Sequence, residues 1–480
     1  MPETAVVWFR RDLRTQDNPT LAAACSADRI LPVYCFDPRR YGRRAFGGQA
    51  SFEYDGIGAG RAQFERESVA DLREQFRDAG GDLLVRHGRP DEALPELLER
   101  VDADRAHFQT LAIPEERTRE HQVREALPDD VTVERHWTHT LHHIEDLPTP
   151  YDEIPDTFTP WRKEVEAESR VRDPIDIPDV PPLPGDVPHA GSIPDLDSLG
   201  VVGDVPDDDR MPLDFAGGET AAQQRLDEYV WETDSLREYK VTRNGLIGRD
   251  YSSKFSPWLN AGCLSPREVY RTVEEYEAER VSNDSTYWLL FELRWRDFFA
   301  FQFAKYGGKF FRPGGIRERT DLDWRRDEVD FQHWQAGETG VPFVDAAMRE
   351  LAATGYMSNR ARQNAASFLV HDLGIDWRWG AAHYEHHLLD YDPASNYGNW
   401  AYIAKVGNDS RDGGFDVLSQ AERYDPGAEY IQRWCPELDG LIGEYAREPW
   451  RMDDREQRDR GIVLGEDYPA PMVGPERLRD

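Results

Sequence analysis

Four histidines, His136, His139, His142 and His143, fall within the eight residues HWTHTLHH, beside Glu145 and Asp146. Imidazoles and carboxylates at such spacing can ligate a metal. The segment borders a proline-rich stretch and lacks a companion ligand pattern, so a surface turn is expected and no metal is assigned. His383, His386 and His387 (HYEHH) follow a helical pattern in an order other than HExxH, which points to packing or surface roles. GIGAG at 56–60 lacks the GxGxxG form and a leading strand; it reads as a flexible loop and not a phosphate cradle. No GxSxG elbow or Walker loop is present, which argues against hydrolase and nucleoside-triphosphatase chemistry. Arg312, Arg317 and Arg319 surround FRPGGIRER, and Arg360 and Arg362 follow Asn359 in SNRAR. With Trp295 and Trp324 these fit a nucleic-acid or flat-cofactor site, and equally well a set of solvated helix ends.

The elements that must position these residues change character along the chain. Short apolar runs at 5–9 (AVVWF), 30–36 (ILPVYCF), 82–86, 107–112 and 131–135 read as strands. Helical patterns at 68–79 and 92–101 lie between them. Strands separated by amphipathic helices predict a parallel, Rossmann-like sheet with helices on both faces. The end of the first strand, near 8–14, would then face a ligand crevice. From about 146 to 212 prolines and aspartates dominate (RDPIDIPDVPPLPGDVP), which predicts an extended connector. Beyond 218 the spacing is helical, at 219–229, 266–278, 286–306, 344–353, 360–372 and 380–390. The expectation is an α/β domain over 1–140, an extended linker over 141–212 and an all-α domain over 213–480.

The chain has 480 residues, with 92 acidic against 58 basic side chains and a formal net charge of -34. Self-repulsion on this scale destabilises a fold in dilute salt and is screened in concentrated salt, the signature of a halophilic protein. It also argues against diffuse nucleic-acid binding, so any DNA contact must come from a local arginine cluster. Cys25, Cys35, Cys263 and Cys435 form no CxxC pair, which suggests neither a zinc site nor a disulfide framework. The start, MPETAVVWFRRDLR, lacks a signal-peptide apolar core, and no apolar run has membrane-span length. A soluble cytoplasmic protein, monomeric and without membrane contact, is expected.

Long stretches resemble the cryptochrome/photolyase family: VVWFRRDLRTQDNPTL, YKVTRNGLIGRDYSSKFSPWL, ELRWRDFF, TGVPFVDAAMRELAATGYMSNRARQNAASFLVHDLGIDW and DPASNYGNWAYIAKVGNDSR. The resemblance covers nearly the whole chain and implies an antenna-type α/β domain joined to a helical FAD-binding domain. It implies that Tyr239, Ser252, Ser253, Lys254 and Ser256 hold the FAD phosphates together with Arg296. Asn396 would face flavin N5, the Arg362–Asp390 pair would lie beside the isoalloxazine, and Asp392 would accept from the ring. Trp400, Trp377 and Trp324 correspond to the tryptophan chain that reduces photoexcited flavin. Glu292, Trp295 and Asn359 correspond to the pocket for a flipped cyclobutane pyrimidine dimer. Photolyases are themselves an established example of base flipping.

Gln363 and Tyr402 stand where duplex-repairing photolyases carry Met and Trp. These replacements, and the wording TRNGLIGRDYS, are similar to the cryptochrome DASH branch. A smaller, more polar pocket holds an extruded dimer less well, so single-stranded UV-damaged DNA is the expected substrate. Glu115 and Glu116 lie near the positions that hold a methenyltetrahydrofolate antenna, but AIPEERTRE matches the family weakly. A deazaflavin, or no antenna, stays open, and glutamates there also suit a helix start. The rival function is a photoreceptor that binds DNA or a partner and signals without repair. The chain ends soon after YPAPMVGPERLRD, without a long signalling tail, which favours repair. A dark flavin oxidoreductase is disfavoured, because no nicotinamide fingerprint is present.

Overall fold

The computed structural model describes residues 2–185, 187, 189–407 and 414–479. The end of one quoted motif, 408–411, lies outside them. Five strands, β1 (Thr4–Phe9), β2 (Arg29–Phe36), β5 (Leu84–His87), β6 (Arg105–Gln109) and β7 (Thr132–His136), form a parallel sheet in the order β5-β2-β1-β6-β7. Both faces are covered, which is why the strands read as nearly continuous apolar runs. Ala5, Val7 and Phe9 of β1 enter one core, and Val6 and Trp8 enter the opposite one. Helices α1 (Pro19–Ala24) and α2 (Ala59–Asp78) contribute to the first core. The second is closed by α3 (Pro90–Val101) and α4 (Pro114–Ala126). A short antiparallel pair, β3 (Arg43–Phe46) and β4 (Phe52–Asp55), escaped the sequence reading because each strand spans only four residues.

The stretch expected to be an extended connector is not extended throughout. It contains α5 (Phe158–Glu168), whose Phe158, Trp161 and Val165 are buried. Their i, i+3, i+7 spacing is that of one helical face. The helical domain follows: α6 (Glu219–Asp227), α7 (Tyr239–Thr242), α8 (Ser256–Ala261), α9 (Pro266–Glu279), α10 (Asp284–Tyr306), α11 (Glu328–Ala336), α12 (Pro342–Thr354), α13 (Asn359–Ser367), α14 (Trp377–His387) and α15 (Pro393–Ile403). Four shorter α-helices between 417 and 460 complete it. One core joins α5 to these helices, and the core that contains β1 also takes in Leu226, Trp258 and Val269, so the two domains share apolar packing. Among the described residues no helix is long and apolar enough to cross a membrane.

Two local expectations are corrected. GIGAG is no flexible loop: Gly58 caps α2 and its N–H donates to the His386 carbonyl at 3.1 Å. A Cβ there would lie 2.5 Å from that oxygen, so the interdomain contact admits only glycine. HWTHTLHH is no surface turn either, since Thr138, His139, Thr140, Leu141 and His142 are all buried. The backbone amides of Leu141 and His142 donate to Asp297 at 2.9 and 2.8 Å.

If α5 is core, Trp161→Ala, which empties a site that is 1% exposed, lowers stability by about 3–5 kcal/mol. Urea unfolding in concentrated KCl measures it; a loss below about 0.5 kcal/mol, as at an exposed position, would show the segment to be a connector after all.

Candidate functional site

Two helices present polar faces to one cleft. Ser358 caps α13, accepting from Ala361 N at 3.2 Å, and thereby fixes Asn359, Arg362, Gln363 and Ala366 on one side of the helix. Asp392 caps α15 and accepts from Ser395 N at 2.8 Å. Ser395, Asn396, Asn399, Trp400 and Ile403 then recur at helical spacing along the facing wall. Asp390 lies between the helices. It takes two bonds from Arg362, at 2.9 and 3.0 Å, and one from Ser256 Oγ at 2.7 Å. Such a two-point contact fixes both partners in orientation as well as in distance.

Asp392 is the electrostatic centre of the cleft. Burial alone would raise its pKa, but hydrogen bonding from His139 and the charges of Arg11 and Arg296 hold it well below the usual carboxylate range. Arg11 comes from the loop after β1 and approaches to 3.4 Å. His139 stands 3.6 Å away. Burial and neighbouring Arg296 push the His139 pKa down to about 3, so the ring beside Asp392 is neutral and the contact is not an ion pair. Arg296 is held by the carbonyls of His139 and Leu259 and by the His139 ring. Sequence reasoning gave Arg11 no role and placed His139 in a surface turn; this contact has no local signal, because its partners are brought together from distant parts of the chain.

The residues expected to hold phosphates lie on a neighbouring turn. Ser252 and Ser253 present carbonyls to Arg225, and Lys254 donates to the carbonyls of Gly248 and Arg249. Burial pulls the Lys254 pKa down to about 7. Arg362 stacks over Tyr356 at 5.3 Å, whose hydroxyl interacts with Ser252. Together with the Ser256–Asp390 bond, this ties the turn to the cleft. Tyr239 is buried at the start of α7. Three orphaned buried atoms, Tyr251 Oη, Arg360 Nε and Trp400 Nε1, belong to the turn, to α13 and to the cleft wall. Buried cations bonded chiefly to carbonyls, orphaned donors and hydroxyls suit an anionic, aromatic dinucleotide. FAD fits this donor set.

Asn396 donates its amide nitrogen to Ala381 O at 2.9 Å, which leaves Oδ1 as the acceptor. Trp400 lines the cleft and rests on Gly380, where an added Cβ would lie 2.2 Å from the ring. One turn earlier on α14, Trp377 is fully buried. Its Nε1 donates to Pro313 O at 3.1 Å, and the half-buried Trp324 donates to the same oxygen at 3.1 Å. Of the three expected tryptophans, Trp400 lines the cleft, and the buried Trp377 and half-buried Trp324 share one acceptor. FRPGGIRER, for which the sequence leaves a ligand site and solvated helix ends equally open, supplies the acceptor that Trp324 and Trp377 share. Its Arg312 is neutralised by Glu318 at 2.9 Å and its Arg319 by Asp321; Arg317 is exposed.

Of the residues expected at a substrate, Asn359 and Gln363 line the cleft, whereas Glu292, Trp295 and Tyr402 do not. Glu292 is ion-paired with Arg243. Burial raises its pKa and Arg243 opposes the shift. Asn244, next in sequence, accepts from Arg360 at 3.2 Å, and Arg360 also reaches Gln363 at 3.2 Å. This turn therefore links Glu292 to the cleft rim. Among the described residues the Arg360 side chain has amide and aromatic partners, Gln363, Gln420, Asn244 and the Phe415 and Tyr424 rings. Trp295 has one face covered by Phe158 of α5, at 3.7 Å and 11°. Tyr402 is half-buried on α15.

A separate cavity of about 320 Å³ opens between the domains. Its aromatic walls include Tyr34, Phe46, Tyr54 and Phe311. Glu115 and Glu116 both line it, paired with Arg44 at 3.0 Å and Arg10 at 2.7 Å.

Comparison with known proteins matches residues 5–184 to "DNA photolyase" and residues 288–480 to "FAD binding domain of DNA photolyase". A cryptochrome DASH of Natronomonas pharaonis is 59% identical over 473 residues, covering 98% of both chains. One from Gloeobacter violaceus is 47% identical, over 98% of this chain and 93% of its own. The solved Synechocystis cryptochrome superposes with TM-score 0.94 at 43% identity, covering 100% of this chain and 98% of that one. An Agrobacterium tumefaciens class III photolyase does so with 0.84 at 27%, covering 100% and 96%.

The neutral state of His139 gives a pH signature. Its folded pKa is about 3, against 6.5 for an unperturbed ring, so the unfolded chain binds the proton first. The stability tied to this neutrality is present above pH 6.5 and is lost as pH falls toward 3. His139→Gln, which does not titrate, should flatten part of that loss in thermal melts at constant KCl. Superimposable pH profiles would mean that His139 is not held neutral.

Proposed function

The chain belongs to the cryptochrome/photolyase family, on its cryptochrome DASH branch, and from that premise we propose that it splits cyclobutane pyrimidine dimers in DNA with light, working best on single strands. The observation that carries the reading is that a single helix serves both ligands. On α13, Arg362 is locked to Asp390 deep in the cleft, while Asn359 and Gln363 stand at its rim. Cofactor and lesion would then share one wall. When bound, FAD supplies light absorption and a transferable electron.

The chain's own residues position and protect. Asn396 would offer Oδ1 to flavin N5, which favours the protonated, reduced ring. Tyr239, Ser252, Ser253, Lys254, Ser256 and Arg296 would hold the pyrophosphate, and Asp392 would accept from the ring. Trp400, Trp377 and Trp324 would supply oxidisable indoles for its reduction. At the rim, Arg360 meets a backbone phosphate, Asn359 and Glu292 bond to the dimer, and Trp295 stacks on it with the face that Phe158 leaves open. Gln363 and Tyr402 supply less apolar contact than Met and Trp would. Unpairing a duplex costs a few kcal/mol, so this deficit weighs most on double-stranded lesions. The interdomain cavity, with Glu115 and Glu116, suits an antenna chromophore of the methenyltetrahydrofolate or deazaflavin class. The reading is of a cytoplasmic monomer.

One observation favours the rival reading, a photoreceptor without repair: the Glu292 carboxylate is already engaged by Arg243. Dimer-containing oligonucleotides, single-stranded and duplex, lit against dark across a KCl series, separate the two. Repair is expected only in light, better on single strands, and highest at intermediate or high salt, where the acidic surface is screened. Trp377→Phe should keep its flavin but reduce it more slowly under light, while chemically reduced variant still repairs. Absence of repair on either substrate moves the function to the photoreceptor, and equal repair of both refutes the pocket argument.

A further inference from the structure

His136, the first histidine of HWTHTLHH, ends β7 and does not line the flavin cleft. In the parallel register His107 of β6 pairs with Glu134, and Gln109 pairs with His136. Paired residues share a face, so His107, Glu134 and His136 stand together on one side of the sheet edge. One ligand atom from each lies within 4.8 Å of the others, and no other such group occurs among the described residues. His107 Nδ1 is 3.3 Å from His136 Nε2 and 3.9 Å from Glu134 Oε2. We propose that these three side chains bind one divalent first-row metal ion of the zinc class.

The distances fit that ion. Donors on a tetrahedral centre with bonds of about 2.0–2.1 Å stand about 3.3 Å apart. The two imidazoles already do, and Glu134 needs only a small side-chain movement. The second oxygen of Glu134 is held by Arg105 at 2.6 Å, which fixes the carboxylate with Oε2 toward the rings. Outer partners of this kind orient metal ligands. Burial lowers the pKa of both histidines, that of His107 to about 4, so their lone pairs are available at neutral pH. Glu134 and His136 are half-buried, so water can take a fourth position. The site contributes no group to the flavin cleft. It would fasten edge strand β7 to β6 just before the segment that delivers His139 to Asp392.

The test uses flavin-loaded protein, stripped with a chelator and returned to concentrated KCl. Titration with Co(II) should develop tetrahedral ligand-field absorption that saturates at one equivalent and is displaced by Zn(II). One equivalent of Zn(II) should raise the thermal midpoint. Glu134→Gln and His136→Gln, both at the half-exposed rim, should each weaken binding at least tenfold with flavin content unchanged. Three results would overturn the site: no saturable binding by the native chain, equal affinity for Mg(II) as expected of surface carboxylates, or binding unaltered in both variants.

Discussion

A carboxylate taken out of water costs several kcal/mol unless cations and donors surround it. Asp392 meets this condition only where the two domains meet. Arg11 reaches it from the loop after β1, His139 from the exit of β7, and Arg296 acts from α10. No one of these elements could supply the set, so neutralising this anion fixes the sheet against the helical domain. The same carboxylate caps α15 and so sets the helix whose face forms half of the cleft. The position of Asn396 and Trp400 therefore depends on an electrostatic balance drawn from three separate parts of the chain.

That balance is held within a chain of net charge -34. Most arginines of the cleft and the interdomain cavity are committed to carboxylates, as Arg10, Arg44, Arg243 and Arg362 show. The contrast is Arg360, whose described partners are amides and aromatic rings. Against so acidic a surface, a rim arginine whose partners among the described residues include no carboxylate is a local positive feature beside the cleft.

The sheet was legible because its strands are covered on both faces, which leaves apolar runs with little interruption. The cleft was legible in part. Its helical faces are written in the spacing of Asn359, Arg362 and Gln363 and of Asn396, Asn399 and Trp400, but spacing cannot say that the two faces meet, and the roles came from family resemblance. HWTHTLHH misled because threonines and histidines resemble a solvated turn. In the fold its amides are taken by Asp297 and its rings are kept neutral by burial, conditions set by residues over 150 positions away. Helix α5 was hidden by the composition of its flanks, although Phe158, Trp161 and Val165 carried a helical signal.

The Pro313 carbonyl receives an N–H from both Trp324 and Trp377. A carbonyl oxygen has two lone pairs, so two indoles saturate it and leave water no site at which to compete. The mutual alignment of the outer pair is then governed by a single peptide group. Any change in the orientation of that one peptide group bears on both rings together, so the pair shares a single anchor and not two independent ones.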